Sequence, residues 1–332
     1  AAFYCLETDR PWGFVAFAFL ATMCKEEIGL LVAMMGLWAA LVRKRRWLGF
    51  SIFAAAAGWS VLCFAVITPH FNGLATSAFL VRYGQFGDSV PALLRNLVQQ
   101  PGVLLDWLRR PDVIRYPWDL WLSSGGLAVL HPLSLAMAAP LLAINAFSGY
   151  DWMHSGGAHY SAAIVPFLGI AAISGTDWAA SVAARWGQGR WGRDEATLYN
   201  GSALGLVTVA LLVAGIHHSQ NGISPLSRRF VLEPVSEHAR RAEPFIDWVN
   251  GLPPGVAISA SSGLYPHVAH REKAYLFPTV SDAQFLLIDV TGPGSPAGIS
   301  EQRLLVRDLL DYAQFGVAAS DHGFLLLERG LD

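Results

Sequence analysis

Three consecutive charged residues, Lys25-Glu26-Glu27, separate two apolar runs, Trp12–Cys24 and Ile28–Val42. Charged side chains at membrane depth face a bundle interior or a polar cavity, where they mark a functional site. A solvated turn between two short helices, with the charges in headgroup water, accounts for the same residues equally well. A second polar group is His154-Ser155-Gly156-Gly157-Ala158-His159-Tyr160. Two histidines at that spacing can bind a metal, transfer protons or bond a phosphate, and Gly-Gly between them lets the backbone approach a ligand closely. With only two imidazoles the metal reading ranks last, and satisfied interfacial histidines explain the motif without a ligand.

The elements that must position these residues are those of a membrane protein. Hydrophobic residues make up 53% of the 332-residue chain and charged residues only 14%, with mean hydropathy +0.39, which places it in the membrane class. The net charge of -2 comes with no basic stripe, so nucleic acid is excluded as a partner. Cys5, Cys24 and Cys63 form no metal or disulfide pattern. A helix crossing a hydrocarbon core of about 30 Å needs roughly 20 apolar residues. Seven spans are expected, some short: Trp12–Cys24, Ile28–Val42, Trp47–Thr68, Pro117–Leu130, Leu133–Phe147, Tyr160–Val182 and Leu198–Ile216. The positive-inside rule puts Arg43-Lys44-Arg45-Arg46 in the cytoplasm, with Arg185, Arg190 and Arg193. Two helices broken at His131-Pro132, rather than one long helix, make the parity agree. The Lys-Glu-Glu cluster, the loop 69–116, the histidine loop and the tail then lie outside. Within loop 69–116, Val90–Val98 and Val103–Leu108 have the spacing of interfacial helices, and Arg82, Arg95, Arg109 and Arg110 near them can pack on headgroups or guide a lipid-linked phosphate.

Composition changes after Ile216, so we divide the chain into a transmembrane region, 1–216, and an α/β domain, 217–332. Helices are expected over Glu237–Asn250, Ser262–Ala269 and Ser300–Tyr312. Strands are expected at Val256–Ala260, Ala274–Phe277, Phe285–Val290, Val317–Ala319 and Phe324–Glu328. Ser259-Ala260-Ser261-Ser262-Gly263 joins a strand to a helix, where serine capping outranks anion binding. No Walker loop, complete GxGxxG or HExxH is present.

Cys24-Lys25-Glu26-Glu27-Ile28-Gly29-Leu30 resembles the Lys-Glu-acidic-x-Gly segment of the DUF2079 family of predicted membrane proteins. His159-Tyr160 with Pro166, Tyr265-Pro266-His267, Arg271 and Tyr275-x-Phe277-Pro278 resemble its later motifs. The resemblance runs from about Leu20 to the end. That family is similar to type C glycosyltransferases, integral membrane enzymes that transfer a sugar from a polyprenyl-phosphate donor on the outer face. The resemblance therefore implies a GT-C-like helical bundle with a small extracytoplasmic α/β domain in the plasma membrane. Its partners would be a polyprenyl-phosphate-linked sugar, membrane lipids and an unknown acceptor.

The superfamily's acidic base lies in its first outside loop; with no initiator Met and no signal peptide at Ala1, we expect that loop to precede Ala1, and Asp88, Asp106 and Asp112 are not given its role. Lys25, His159 and Tyr160 are the candidates for stabilising charge on the lipid phosphate, with His154 beside them. Glu26 or Glu27 would orient Lys25, bind a sugar hydroxyl or assist a divalent metal. A transporter or flippase of a lipid-linked or anionic substrate shares the short helices and intramembrane charge. No internal repeat supports that reading, and a non-catalytic assembly protein would leave the cluster without a purpose.

Overall fold

The computed structural model describes residues 1–72, 78–87, 89–156, 159–191, 194–230, 237–292 and 299–331. It divides into two units, Ala1–Val231 and Leu232–Asp332. The first opens with α1 (Ala2–Glu7), α2 (Pro11–Thr22), α3 (Ile28–Leu41) and α4 (Arg46–Leu62). A π-turn over Cys63–Ile67 carries α4 into α5 (Thr68–Asn72). Next come α6 (Val90–Gln99) and α7 (Pro101–Leu108), where interfacial helices were expected, and α8 (Pro111–Ser123). Prolines at the first or second positions start these three, where a missing N–H costs nothing. Short α9 (Pro132–Leu135) and α10 (Ala139–Ala146) precede two long helices, α11 (Val165–Trp191) and α12 (Glu195–Asn221).

The expectation of seven spans is corrected. Three stretches among the described residues are long and apolar enough to cross a bilayer: Arg46–Phe71, Val165–Gln188 and Glu195–Asn221. α2 and α3 are apolar but have 12 and 14 residues, about 18 and 21 Å at 1.5 Å per residue, short of a core of about 30 Å. Pro117–Leu130 is not one helix. Pro117 lies inside α8, which stops before Gly125 and Gly126, both at positive φ (75° and 80°), and a 3-10 turn follows at Ala128–Leu130. The break at His131-Pro132 is present, with the His131 ring accepting the Ser134 N–H at 3.4 Å. With fewer full crossings, the parity that assigned sides no longer stands on its own. Arg193 lies outside the described residues, as do Asp88 and Gly157-Ala158 of the histidine motif.

Missing side chains decide how α3 and α4 meet. A Cβ at Gly36 would lie 2.6 Å from the Phe53 nitrogen, and one at Gly49 only 2.3 Å from the Ala40 nitrogen. The two backbones therefore touch, the packing that small residues permit in membranes. Ser60, fully buried on α4, donates its hydroxyl to the Glu26 carbonyl at 2.9 Å. The core behind this pair includes Phe14, Leu31, Met137, Leu141, Ile164 and Leu168.

The second unit is a mixed sheet between helices. Its strands are β1 (Ile258–Ala260), β2 (Ala274–Leu276), β3 (Phe285–Asp289), β4 (Phe315–Asp321) and β5 (Phe324–Arg329), in the order β2-β1-β3-β5-β4. β1 runs parallel to β2 and β3, while β5 is antiparallel to β3 and β4. α13 (Glu237–Asn250) packs Phe245 and Val249 with Ile258, Leu287 and Phe324; α14 (Ile299–Asp311) places Val306 in a separate cluster with Leu286, Ile288 and Leu327. The alternation along β3 thus feeds a core on each face.

The helix expected at Ser262–Ala269 is replaced by turns and a 3-10 segment, Tyr265–His267. Ser261 does not cap it, because its hydroxyl accepts the Asp289 N–H at 3.1 Å. Arg271, 8% exposed, donates to the carbonyls of Val249, Leu252, Val256 and Pro253, satisfying the end of α13 and the turn after it.

Gly49→Val should force α3 from α4 and destabilise the first unit by about 1–3 kcal/mol. Gly58→Ala, on the same helix with open space around it, should leave the melting temperature unchanged or raise it, since alanine favours a helix interior. Thermal unfolding of the two variants in detergent, read side by side, checks the contrast.

Candidate functional site

Tyr160 is the centre of a polar group at the start of the segment leading into α11. Lys25 Nζ lies 5.6 Å from its ring centroid and the Arg82 guanidinium 5.9 Å. His159 stacks on the same ring at 4.6 Å, and Tyr150 meets it edge-on at 6.3 Å. Arg82 also lies 5.2 Å from the Tyr150 ring. Both cations lie within cation–π range of one ring, an attraction of about 0.5–1 kcal/mol each when exposed and more when desolvated.

Lys25 and Tyr160 are held from behind. Lys25 pairs with Glu27 at 2.6 Å, their side chains 35% and 14% exposed. Asn145, buried, donates to the Tyr160 carbonyl at 3.1 Å and to the Tyr116 hydroxyl at 2.8 Å; Tyr116 in turn meets the Ser161 hydroxyl at 3.1 Å. Tyr83 donates to the Ile144 carbonyl at 2.9 Å. Burial pushes its phenol up to about 12 against the pull of Arg82, with Glu27 adding to the rise, so its proton stays in that bond.

Of the six residues singled out by sequence, Lys25, Glu27, His159 and Tyr160 come together. Glu26 contributes its backbone carbonyl to Ser60, and among the described residues no contact joins its carboxylate to Lys25. His154 goes elsewhere. Its side chain is 1% exposed and donates from Nε2 to Asp112 at 2.9 Å, with Asp151 at 3.9 Å. Arg110 closes this second network, making a two-pronged pair with Asp112 (2.6 and 3.2 Å), reaching Asp151 at 3.4 Å, and stacking on Trp107 at 4.2 Å. Burial raises the Asp112 pKa, but Arg110 and His154 outweigh it and hold the carboxyl at about 2. Arg110 is therefore spent on carboxylates. Among the described residues Arg109 pairs with exposed Asp106. Of the four arginines that the sequence left tied with one another, Arg82 is the one seen at the site.

Asp112, Asp151 and His154 offer ligand atoms within 4.8 Å of one another, so they are where a divalent metal would be sought. The donor set does not fit one. A guanidinium nitrogen already bridges the two carboxylates. A metal on Nε2 would also move the imidazole proton to Nδ1, which is buried without a partner among the described residues, whereas ligating histidines give that proton to an acceptor.

Two outcomes follow for this network. Co2+ should give no ligand-field absorption with the unsubstituted protein, nor with Arg110→Ala, which frees the carboxylates but leaves Nδ1 without an acceptor. Since the Asp112 pKa is depressed from 3.8 to about 2, its ionic contribution is complete above about pH 4 and lost as pH falls towards 2. An acid titration followed by tryptophan fluorescence should show that loss, and Asp112→Asn should remove it.

No curated protein and no solved structure matches the chain. The family described as "Predicted membrane protein (DUF2079)" matches residues 1–326, nearly the whole length and both structural units. With this match, and with three membrane-length apolar helices among the described residues, the chain belongs to the DUF2079 family of predicted membrane proteins.

Proposed function

We propose that this protein is a membrane glycosyltransferase that takes a sugar from a polyprenyl-phosphate donor, with Lys25, Arg82, His159 and Tyr160 holding the lipid phosphate. The observation that carries the reading is the convergence of Lys25 and Arg82 on the Tyr160 ring. Transfer from such a donor leaves negative charge on a phosphate oxygen, and fixed cations at that position lower the barrier by stabilising it. Glu27 orients Lys25, while the exposed imidazole of His159 supplies a further hydrogen bond. Tyr160, fixed through its carbonyl by Asn145, keeps the two cations at their distance from the ring. The surrounding lipid takes the polyprenyl chain.

The same reading places the cluster and the tail on the outer face of the plasma membrane, opposite the basic turn Arg43-Lys44-Arg45-Arg46. The acceptor is met on that side. Glu26 is assigned no contact with donor.

The protein in lipid nanodiscs is expected to bind a polyprenyl phosphate and not the corresponding alcohol. Lys25→Ala and Arg82→Ala should each weaken that binding by about tenfold or more, as loss of a charged hydrogen bond does. His159→Ala should lower sugar transfer further than it lowers binding. Membrane insertion and abundance of the variants should match the parent. Phosphate binding with no transfer to any acceptor, but with movement of the lipid between leaflets, would favour the flippase reading.

A further inference from the structure

The carboxyl ends of β1 and β3 form a second polar site, in the tail. β1 has parallel neighbours on both sides, so the chain leaves it for β2 at one edge and returns to β3 on the other. In open α/β sheets, ligands bind outside the strand carboxyl ends at such a reversal. There the Ser261 hydroxyl accepts the Asp289 N–H, tying the two strand ends together. Asp289 Oδ1 accepts the N–H groups of Thr291 and Gly292, both at 2.9 Å, and the Thr291 hydroxyl at 2.7 Å. Its Oδ2 accepts from His238 Nε2 at 2.8 Å. Burial raises the Asp289 pKa, but the bonds from His238 and Thr291 outweigh it and keep the carboxyl ionised below its ordinary range.

His238, the second residue of α13, stacks on Phe324 with centroids 4.5 Å apart. The carboxylate fixes the proton on Nε2, which leaves Nδ1 a hydrogen-bond acceptor. Among the described residues Nδ1 has no partner. The His238 side chain is 44% exposed and the Asp289 side chain 14%, so the imidazole is open to solvent and the carboxylate is covered. We propose that this strand-end site binds a neutral, hydroxyl-rich ligand of the oligosaccharide class, whose hydroxyl protons are accepted by His238 Nδ1 and Thr291 Oγ1. With four donors on Asp289, its oxygens are already occupied, and a cation would have to displace these hydrogen bonds. The outward groups are acceptors, which select hydroxyl donors and disfavour phosphates. Pinning α13 to the sheet would need the carboxylate and the Phe324 stack but not an imidazole with an open edge. The site stands apart from the lipid-phosphate reading.

The test is titration of the full chain in nanodiscs with maltotriose, chitotriose and mannotriose, and with spermidine as a cationic control. The expected result is saturable binding of at least one sugar, weakened by about tenfold or more, about 1.4 kcal/mol, in His238→Phe, which keeps the ring stack. Thr291→Val should weaken it as well, and serves alone if His238→Phe fails to fold by circular dichroism. Lys25→Ala should bind the sugar as the parent does, whatever its effect on lipid phosphate. Absence of saturable sugar binding, unchanged affinity in the folded variants, or spermidine binding tighter than any sugar would overturn the proposal.

Discussion

The first unit depends on a contact between backbones. Where α3 crosses α4, Gly36 and Gly49 leave no room for a Cβ, and dispersion between close main chains replaces the hydrophobic drive that lipid removes. That contact fixes the height of α4 against α3, and with it the meeting of Ser60 and the Glu26 carbonyl. The charged segment is consequently not a loose turn. Its Lys25 is steered by Glu27 on one side and by a helix-anchored backbone on the other, and it reaches Tyr160 across the sequence. A functional group on a non-helical segment gains precision when such a rigid element supports it.

Much of this was legible in the residues, and what was not has physical causes. The tail's strands and its two long helices follow from short apolar runs and helical periodicity, and they are found within a few residues of where these place them. The exception is Ser262–Ala269, where a hydroxyl suited to capping was taken by a neighbouring strand end, a partner 28 residues away that local patterning cannot see. Apolarity announced the membrane, but it does not measure length. α2 and α3 are as apolar as any span and still fall short, because their termini are set by charges and turns. The candidate site divides similarly. Lys25, Glu27, His159 and Tyr160 were marked by the motifs that hold them and Arg82 only as one of four arginines, whereas Asn145 carries no such mark and enters through tertiary contact. His154 shows the reverse error: its spacing from His159 suggested a pair, yet an arginine and two aspartates hold it in a separate network.

The two units solve the problem of polar atoms in different ways. In the tail, Arg271 gathers four carbonyls at the end of α13, and the sheet satisfies most of the remainder. In the first unit the hydrogen bonds between elements run through single side chains such as Asn145, Tyr83 and Trp107 to carbonyls on α10 and the turns near it. Each is a neutral donor, suited to surroundings where an unpaired charge would be costly.

The shared ring of Tyr160 also has a consequence for how the site responds to its medium. Each of two positive charges lies within about 6 Å of one centroid, inside the screening length of about 8 Å at physiological ionic strength. An anion held against that ring feels both, and added salt weakens both attractions. Glu27, the less exposed partner, pairs with one of the two. Such an arrangement responds to the counter-ions around it, so the ionic strength of the medium becomes part of the chemistry of the cluster.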